Sequence, residues 1–285
     1  MLRLAVATQA ETFERIREPL ADRGIAVEAL PTAERVHRLD PADGAFDVGL
    51  VHPPRLMEGG AVTARHDLSW VNDRETVLRS RNKAETYARL ARADLPIPET
   101  RLVSNPVDEA ALLGAVEGLD WPVVVKPNST TRGVGVARAE DPDSFLGLTD
   151  YLGLVHDYRA TGDRSFLVQE FLPDARDYRA MVLDGAYAGA VERRLPETAL
   201  SAGRWKHNVH RGATATGVDL DPGLRRLAEA AADALDAALV GVDLLVSDGR
   251  AVVNETNARP TVDAATKYEP GFYDDLAALV RRTAD

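Results

Sequence analysis

Gly241-Val242-Asp243-Leu244-Leu245, a turn at Asp248-Gly249, and Val252-Val253-Asn254-Glu255-Thr256-Asn257 decide how this chain reads. Two apolar β-runs flank a tight turn, and each carries an acid where a strand is otherwise apolar. An ionised carboxylate among buried valines is costly unless it is paired or binds a metal. Asp, Glu and Asn offer only oxygen, and that donor set suits Mg²⁺ held by one or two carboxylates plus phosphates. Glu255 and Asn257 stand two apart and share a strand face. A plain two-residue loop would set Asp243 opposite Asn254 and leave Glu255 on the wrong face. A shared metal therefore requires an offset of one residue, and the spacing predicts a bulge or an irregular loop. The competing reading is a hairpin with polar residues at exposed ends.

A second constellation lies upstream. Trp121-Pro122-Val123-Val124-Val125-Lys126-Pro127 is a short apolar strand ending in a lysine. It runs into Asn128-Ser129-Thr130-Thr131-Arg132-Gly133-Val134-Gly135-Val136. Glycines and hydroxyls let backbone N–H groups approach an anion closely, and Lys126 supplies a point charge for phosphate. No Gly-Lys-Ser/Thr follows, so this is not a Walker loop, and no dinucleotide fingerprint is present. Of 34 Lys plus Arg, only Lys83, Lys126, Lys206 and Lys267 are lysine. Such survivors are enriched where a compact ammonium cannot be exchanged for a planar fork. A third piece, Phe166-Leu167-Val168-Gln169-Glu170-Phe171-Leu172-Pro173, leaves a buried strand through Gln-Glu. Asp177-Tyr178-Arg179 then opens another strand.

In this order, with Leu95-Pro96-Ile97-Pro98 after a helix opened by Lys83, and with Arg193 and Trp205-Lys206-His207-Asn208 between, the pieces resemble the ATP-grasp superfamily. The closer resemblance is to its RimK-like glutamate ligase branch, over essentially the whole chain. It implies an α/β (α+β) ATP-grasp fold and ATP-dependent joining of a carboxylate to an amine. It also implies roles. Lys83, Lys126 and Lys206 would serve the nucleotide. The loop with Ser129, Arg132, Gly133 and Gly135 would close over the phosphates. Gln169, Glu170, Phe171 and Leu172 would meet adenine, with Glu170 and Leu172 using backbone, and Asp177 would lie near the ribose. Asp243, Glu255 and Asn257 would hold two Mg²⁺, with Mn²⁺ as a substitute. Arg193 and Asn208 would face an acyl phosphate, and Arg179 would serve phosphate or a substrate carboxylate. Partners implied are ATP, an amino-acid donor such as glutamate, and a carboxylate acceptor, small molecule or protein terminus; such ligases are often homo-oligomers. Other outcomes of the same resemblance are a non-catalytic ATP-binding protein and a dipeptide ligase. The chain departs from the branch at Ala258-Arg259-Pro260-Thr261, where Arg259 is available to a substrate carboxylate or to the surface.

Composition narrows the classes. The 285 residues contain no cysteine, which excludes thiol catalysis and fits a reducing cytoplasm. A formal charge of −11 argues against general nucleic-acid binding. It fits either a high-salt cytoplasm or a codon bias favouring arginine. No apolar run is long enough to span a membrane, and residues 2–7 read as a first strand, not a signal peptide.

Periodicity organises the rest. Residues 2–7, 26–30 and 46–52 read as strands, and residues 11–23 as a helix with a stripe of Phe13, Ile16 and Leu20. These predict a small α/β unit over 1–75. Residues 76–164, with a helix at 82–93 ended before Pro96 and Pro98, predict a first ATP-grasp subdomain. Residues 165–285, with helices at 222–239 and 274–282, predict a second. His37, His52, His66 and His156 show no paired metal spacing; His207 and His210 flank Asn208.

Overall fold

The computed structural model describes residues 1–8, 11–130, 133–155, 163–207 and 209–285. The first unit contains β1 (Leu2–Val6), α1 (Glu11–Ala21), β2 (Ile25–Ala29), β3 (Val48–Leu50), α2 (Leu56–His66) and β4 (Trp70–Val71). Its strands form a parallel sheet in the order β2-β1-β3-β4. Parallel strands are covered by helices on their faces, and here the stripe of α1 supplies Ile16 and Leu20 to a core with Leu4, Val6 and Leu50. Phe13 packs against its rim.

Two helices follow, α3 (Arg74–Arg81) and α4 (Lys83–Arg92). Asn82 separates them and caps α4, its Oδ1 accepting the Glu85 N–H at 3.2 Å. The middle unit contains β5 (Thr100–Ser104), α5 (Glu109–Gly114), β6 (Val123–Pro127), β7 (Ala137–Ala139), α6 (Pro142–Val155) and β8 (Ser165–Glu170). Its antiparallel sheet has the order β5-β8-β6-β7. Val123 and Val125 pack with Phe145 and Phe166. The last unit contains β9 (Arg176–Leu183), β10 (Ala186–Arg194), α7 (Glu197–Ser201), β11 (Thr214–Val218), α8 (Pro222–Ala234), β12 (Leu239–Ser247), β13 (Arg250–Asn257) and α9 (Phe272–Ala284). Its antiparallel sheet runs β11-β10-β9-β12-β13.

Alternation gives that last sheet two unlike faces. Tyr178, Ala180, Val182, Val240, Val242 and Leu244 face Leu224, Ala228 and Ala231 of α8 in one apolar cluster. The intervening positions of β9 change character along the strand. Asp177 and Arg179 occupy one end, while Met181 and Leu183 join the core of the first sheet. The two sheets are also pinned by Asn72, whose Nδ2 donates to the carbonyls of Leu239 (2.5 Å) and Ala258 (2.8 Å).

Three expectations change. The helix expected over 222–239 stops at Ala234, because Leu239 and Val240 are buried strand residues paired with Leu183 and Val182. A short apolar run cannot be told from helix by periodicity alone. β8 begins where the third unit was expected to begin, yet it pairs with β5 and β6. We therefore place that division after Glu170. Finally, α4 lends Tyr87 and Leu90 to the cluster under the last sheet, and α9 lends Leu276 and Val280 to the first sheet. Among the described residues no helix is long and apolar enough to cross a membrane.

Candidate active site

The hairpin β12–β13 turns at Asp248 (φ +49°) and Gly249 (φ +76°), and Ser247 pairs with Arg250. Both positive φ values match the tight hairpin turns that follow the natural twist of strands. Pairing continues to Leu244 opposite Val253, then slips, and Asp243 stands opposite Glu255. Asn254 is the extra residue. The irregularity predicted from the spacing is therefore present, and it turns Glu255 onto the face that carries Asp243. The Asn254 carbonyl accepts a hydrogen bond from the Tyr87 hydroxyl. That hydroxyl in turn accepts one from Lys126 Nζ at 2.7 Å. Lys126 also donates to Gln169 Oε1 at 2.9 Å, and Gln169 Nε2 donates to Thr100 Oγ1 at 2.7 Å. A chain of buried polar contacts thus runs from the bulge through α4 into the middle sheet.

The carboxylates are compensated by cations across neighbouring strands. Arg179, paired with Asp243 in register, holds it by two bonds, Nε to Oδ1 at 2.6 Å and Nη2 to Oδ2 at 2.8 Å. Arg193 Nη2 lies 3.0 Å from Asp243 Oδ2 and 2.6 Å from Asp177 Oδ1. Lys83 Nζ sits 3.1 Å from Glu255 Oε1 and donates to the Thr130 carbonyl at 2.6 Å. Burial raises the pKa of Asp243, but the charges of Arg179 and Arg193 outweigh it and leave the group below the usual carboxylate range. Asp177 shares Arg193 with Asp243, and burial together with that neighbouring charge lifts it to about 7. Burial drives Lys126 down to about 8, against the opposing pull of Glu255. Burial, then the charge of Arg193, lowers His207.

These groups line a cleft of about 450 Å³ between the middle and last sheets, a size that suits a small-molecule ligand. Lys83, Lys126, Gly133, Lys206, Arg193, Asp177, Asp243 and Glu255 all reach its wall, as does the segment Gln169, Glu170, Phe171 and Leu172. Val124, Pro98 and Leu245 give apolar surface beside that segment. Glu170 turns its carboxylate away to Arg250 (2.7 Å) and to the Glu99 N–H (2.7 Å). Its backbone is left as the part that meets a ligand. Trp205 meets Phe171 edge-on at 5.7 Å, and Lys206 donates to the Val136 carbonyl, so the segment after α7 reaches the glycine-rich loop.

Other expected residues sit differently. Arg179 lies behind Asp243 and is not on the cleft wall; the register with Asp243 takes its fork before any ligand can. Asn257 is also off the wall, its Oδ1 accepting the Arg259 N–H at 3.0 Å. Ser129 is half-buried and off the wall, while its neighbour Thr130 is on it. Gly135 shapes the loop instead of lining it, since at φ +73° an added Cβ would meet Pro127 Cγ at 2.7 Å. Arg132, Asn208 and His156 lie outside the described residues. Among the described residues no three His, Cys, Asp or Glu side chains gather as a metal cluster. The facing pair Asp243 and Glu255 nevertheless offers the two carboxylates that Mg²⁺ uses alongside phosphate.

The family model for the RimK-like ATP-grasp domain matches residues 80–271. The chain belongs to the RimK-like ATP-grasp family. A relative named probable alpha-L-glutamate ligase, from Aliivibrio salmonicida, is 34% identical over 213 residues, 74% of this chain and 65% of that protein. The ribosomal protein bS6–L-glutamate ligase of an Escherichia coli strain is 28% identical over 296 residues, covering 93% and 91%. A RimK-domain ATP-grasp protein of Sphaerobacter thermophilus superposes with a TM-score of 0.68 at 22% identity over 99% of both chains, which establishes the shared fold. In this RimK-like chain, Tyr87 was missed by sequence reasoning because a tyrosine three residues before Leu90 reads as core. Tyr87→Phe keeps the ring and removes the hydroxyl. The Asn254 carbonyl and Lys126 each lose a partner, so we expect a loss of roughly 1–3 kcal/mol in denaturant unfolding and a clear drop in Mg-ATP affinity. Unchanged values for both would remove Tyr87 from the site.

Proposed function

We propose that this RimK-like protein is an ATP-dependent carboxylate–amine ligase that forms an amide through an acyl phosphate, adding an amino acid such as glutamate to a carboxylate acceptor. The observation that carries the reading is the pair Asp243 and Glu255, brought to one face by the bulge and ringed by Lys83, Lys126 and Arg193. Both reactants in the first step are anions, the acceptor carboxylate and the γ-phosphate of ATP. Lys83 and Lys126 would neutralise the phosphates, and Arg193 would face the charge that develops on transfer. Magnesium held at Asp243 and Glu255, with Asn257 beside them, would screen the phosphate oxygens. The amine then attacks the acyl carbon and phosphate leaves. No side-chain nucleophile is required, so the residues act by position and charge.

The names of the relatives support glutamate as the donor, and a protein terminus is one acceptor class. The absence of cysteine supports a cytoplasmic setting. The test is ADP release from purified protein with Mg-ATP at low and high KCl, with pooled amino acids and candidate carboxylates. Turnover is expected to need both an amine and a carboxylate and to vanish in Glu255→Ala. Metal-dependent ATP binding without turnover under any pairing would favour a non-catalytic ATP-binding role instead.

A further inference from the structure

Charge neutralisation serves the first half of an amide synthesis, but the second half must also move protons. A donor amino group is an ammonium ion near neutral pH. It gives up one proton before it attacks and another as the N–C bond forms. A base within reach of the acyl carbon speeds that step. The carboxylates deep in the cleft are already engaged: Asp243 by Arg179 and Arg193, Glu255 by Lys83, and Glu170 by Arg250.

His207 is the one imidazole on the cleft wall among the described residues. Trp205 against Phe171 and Lys206 on the Val136 carbonyl fix the segment just ahead of it. The ring is half-buried, and neither nitrogen hydrogen-bonds to a described residue. Its Nδ1 stands 3.8 Å from Asp177 Oδ2. Both Arg193 bonds, from Nε at 2.9 Å and Nη2 at 2.6 Å, fall on Asp177 Oδ1, so Oδ2 is the oxygen left for the imidazole. Catalytic contacts of this kind are often long before substrate arrives and tighten in the complex. An Nδ1–H given to Asp177 leaves Nε2 as the acceptor. The ring faces Asp177 of β9 and Arg193 of β10, with Asp243 of β12 behind Arg193 and the cations Arg204 and Lys206 along its own segment. At 3.8 Å the carboxylate does not offset burial and then the Arg193 charge, which lower His207 and keep it neutral near pH 7.

We propose that His207 is a further catalytic residue, the base that takes the proton from the donor amine as the amide bond forms. This deepens the ligase reading and rests on it for the acyl phosphate. Arg193, facing the phosphoryl group, sets the imidazole beside the acyl carbon. The donor attacks as the free amine, the N–C bond forms, and the carbonyl becomes a tetrahedral oxyanion. One N–H proton passes to His207 Nε2. The C–O bond to phosphate then breaks with its electron pair on oxygen, and the imidazolium hands its proton to the departing phosphate. The products are the amide and hydrogen phosphate, and the imidazole is neutral again. Asp177 is a positioning residue in this step, holding the tautomer.

The test separates the two half-reactions. The full chain is given Mg-ATP with L-glutamate, N-acetyl-L-glutamate or a short peptide ending in glutamate as acceptor. Hydroxylamine, a weakly basic and strongly nucleophilic amine, traps the acyl phosphate as a hydroxamate without a base; L-glutamate as donor reports amide formation. His207→Gln is expected to form hydroxamate within a few-fold of wild type and to lose roughly 10²–10⁴-fold in amide formation. In His207→Ala, added imidazole should restore amide formation in proportion to its unprotonated fraction, a response that a structural role would not give. Unchanged amide formation in the Gln variant, an equal loss of hydroxamate and amide, or a loss in the Ala variant that imidazole does not restore would each overturn the proposal and leave the ligase reading standing. No hydroxamate from wild type with any of the three acceptors would remove the ligase reading, and the proposal with it.

Discussion

Asp243→Asn is expected to reduce ADP release by roughly 10²–10³-fold and to destabilise the fold as well. The substitution keeps the shape of the side chain and removes its charge. Arg179 then loses the carboxylate that compensates it, and Arg193 is left with Asp177. Removing one member of a buried pair costs about 3–5 kcal/mol; Arg179 is about a third exposed, at 32%, so solvent screening places the loss toward the low end. Glu255→Gln separates the two effects. Glu255 is similarly exposed, at 31%, and its loss leaves the buried Lys83 with the Thr130 carbonyl as a remaining acceptor, so turnover should fall as far with a smaller loss of stability than in Asp243→Asn. Both variants should need far more Mg²⁺ to bind nucleotide. Retention of the wild-type Mg²⁺ dependence in either one would take the metal away from this pair. Asp243 also implies acid sensitivity. Its folded pKa lies below the unfolded value, so its contribution is present above the ordinary carboxylate range and is lost as pH falls through the folded value.

Lys126→Met is expected to weaken binding of an ATP analogue by roughly 10–100-fold, the loss of a charged hydrogen bond to phosphate. It should also remove a pH dependence. Burial holds Lys126 at about 8 in the folded protein, against 10.5 for the unperturbed group. Between those values the unfolded chain binds more protons, so folding stability rises with pH through that interval. Nucleotide affinity moves the other way, because phosphate favours the ammonium form. Wild-type affinity should therefore fall as pH rises through about 8, and the Met variant should be flat there. Calorimetric titrations from pH 7 to 9.5 measure both slopes, and an equal slope in the two proteins would assign the titration to another group.

The bulge was legible in the sequence because it follows from parity. The turn at Asp248-Gly249 fixes which residues face one another, and two acids that share a metal must share a face. Arg179 was harder to place. Its alternation with Asp177 shows a common face, but only the pairing of β9 with β12 shows that Asp243 occupies its fork. Tyr87 was opaque for a different reason: its ring does pack with the core, and its hydroxyl acquires a role only when β13 arrives with an unpaired carbonyl. The unit boundaries erred where strands and helices join sheets remote in sequence. β8 pairs with β5 and β6, although β9, the next strand in sequence, belongs to the last sheet. Hydrophobic periodicity reports that a face is buried and leaves its partner unnamed.

The return of α9 to the first sheet has a consequence for how the chain is made. Leu276 and Val280 complete a core begun by Leu4 and Val6, so β1 leaves the ribosome well before the helix that covers it. At about 5–20 residues per second that interval is many seconds, during which the underside of the first sheet is bare. The middle sheet, built from residues 100–170 alone, has no such wait and can settle first. Synthesis would thus deliver a formed half of the nucleotide cleft before the half that bears the acids, and the strands of the first sheet would be left open to a chaperone meanwhile.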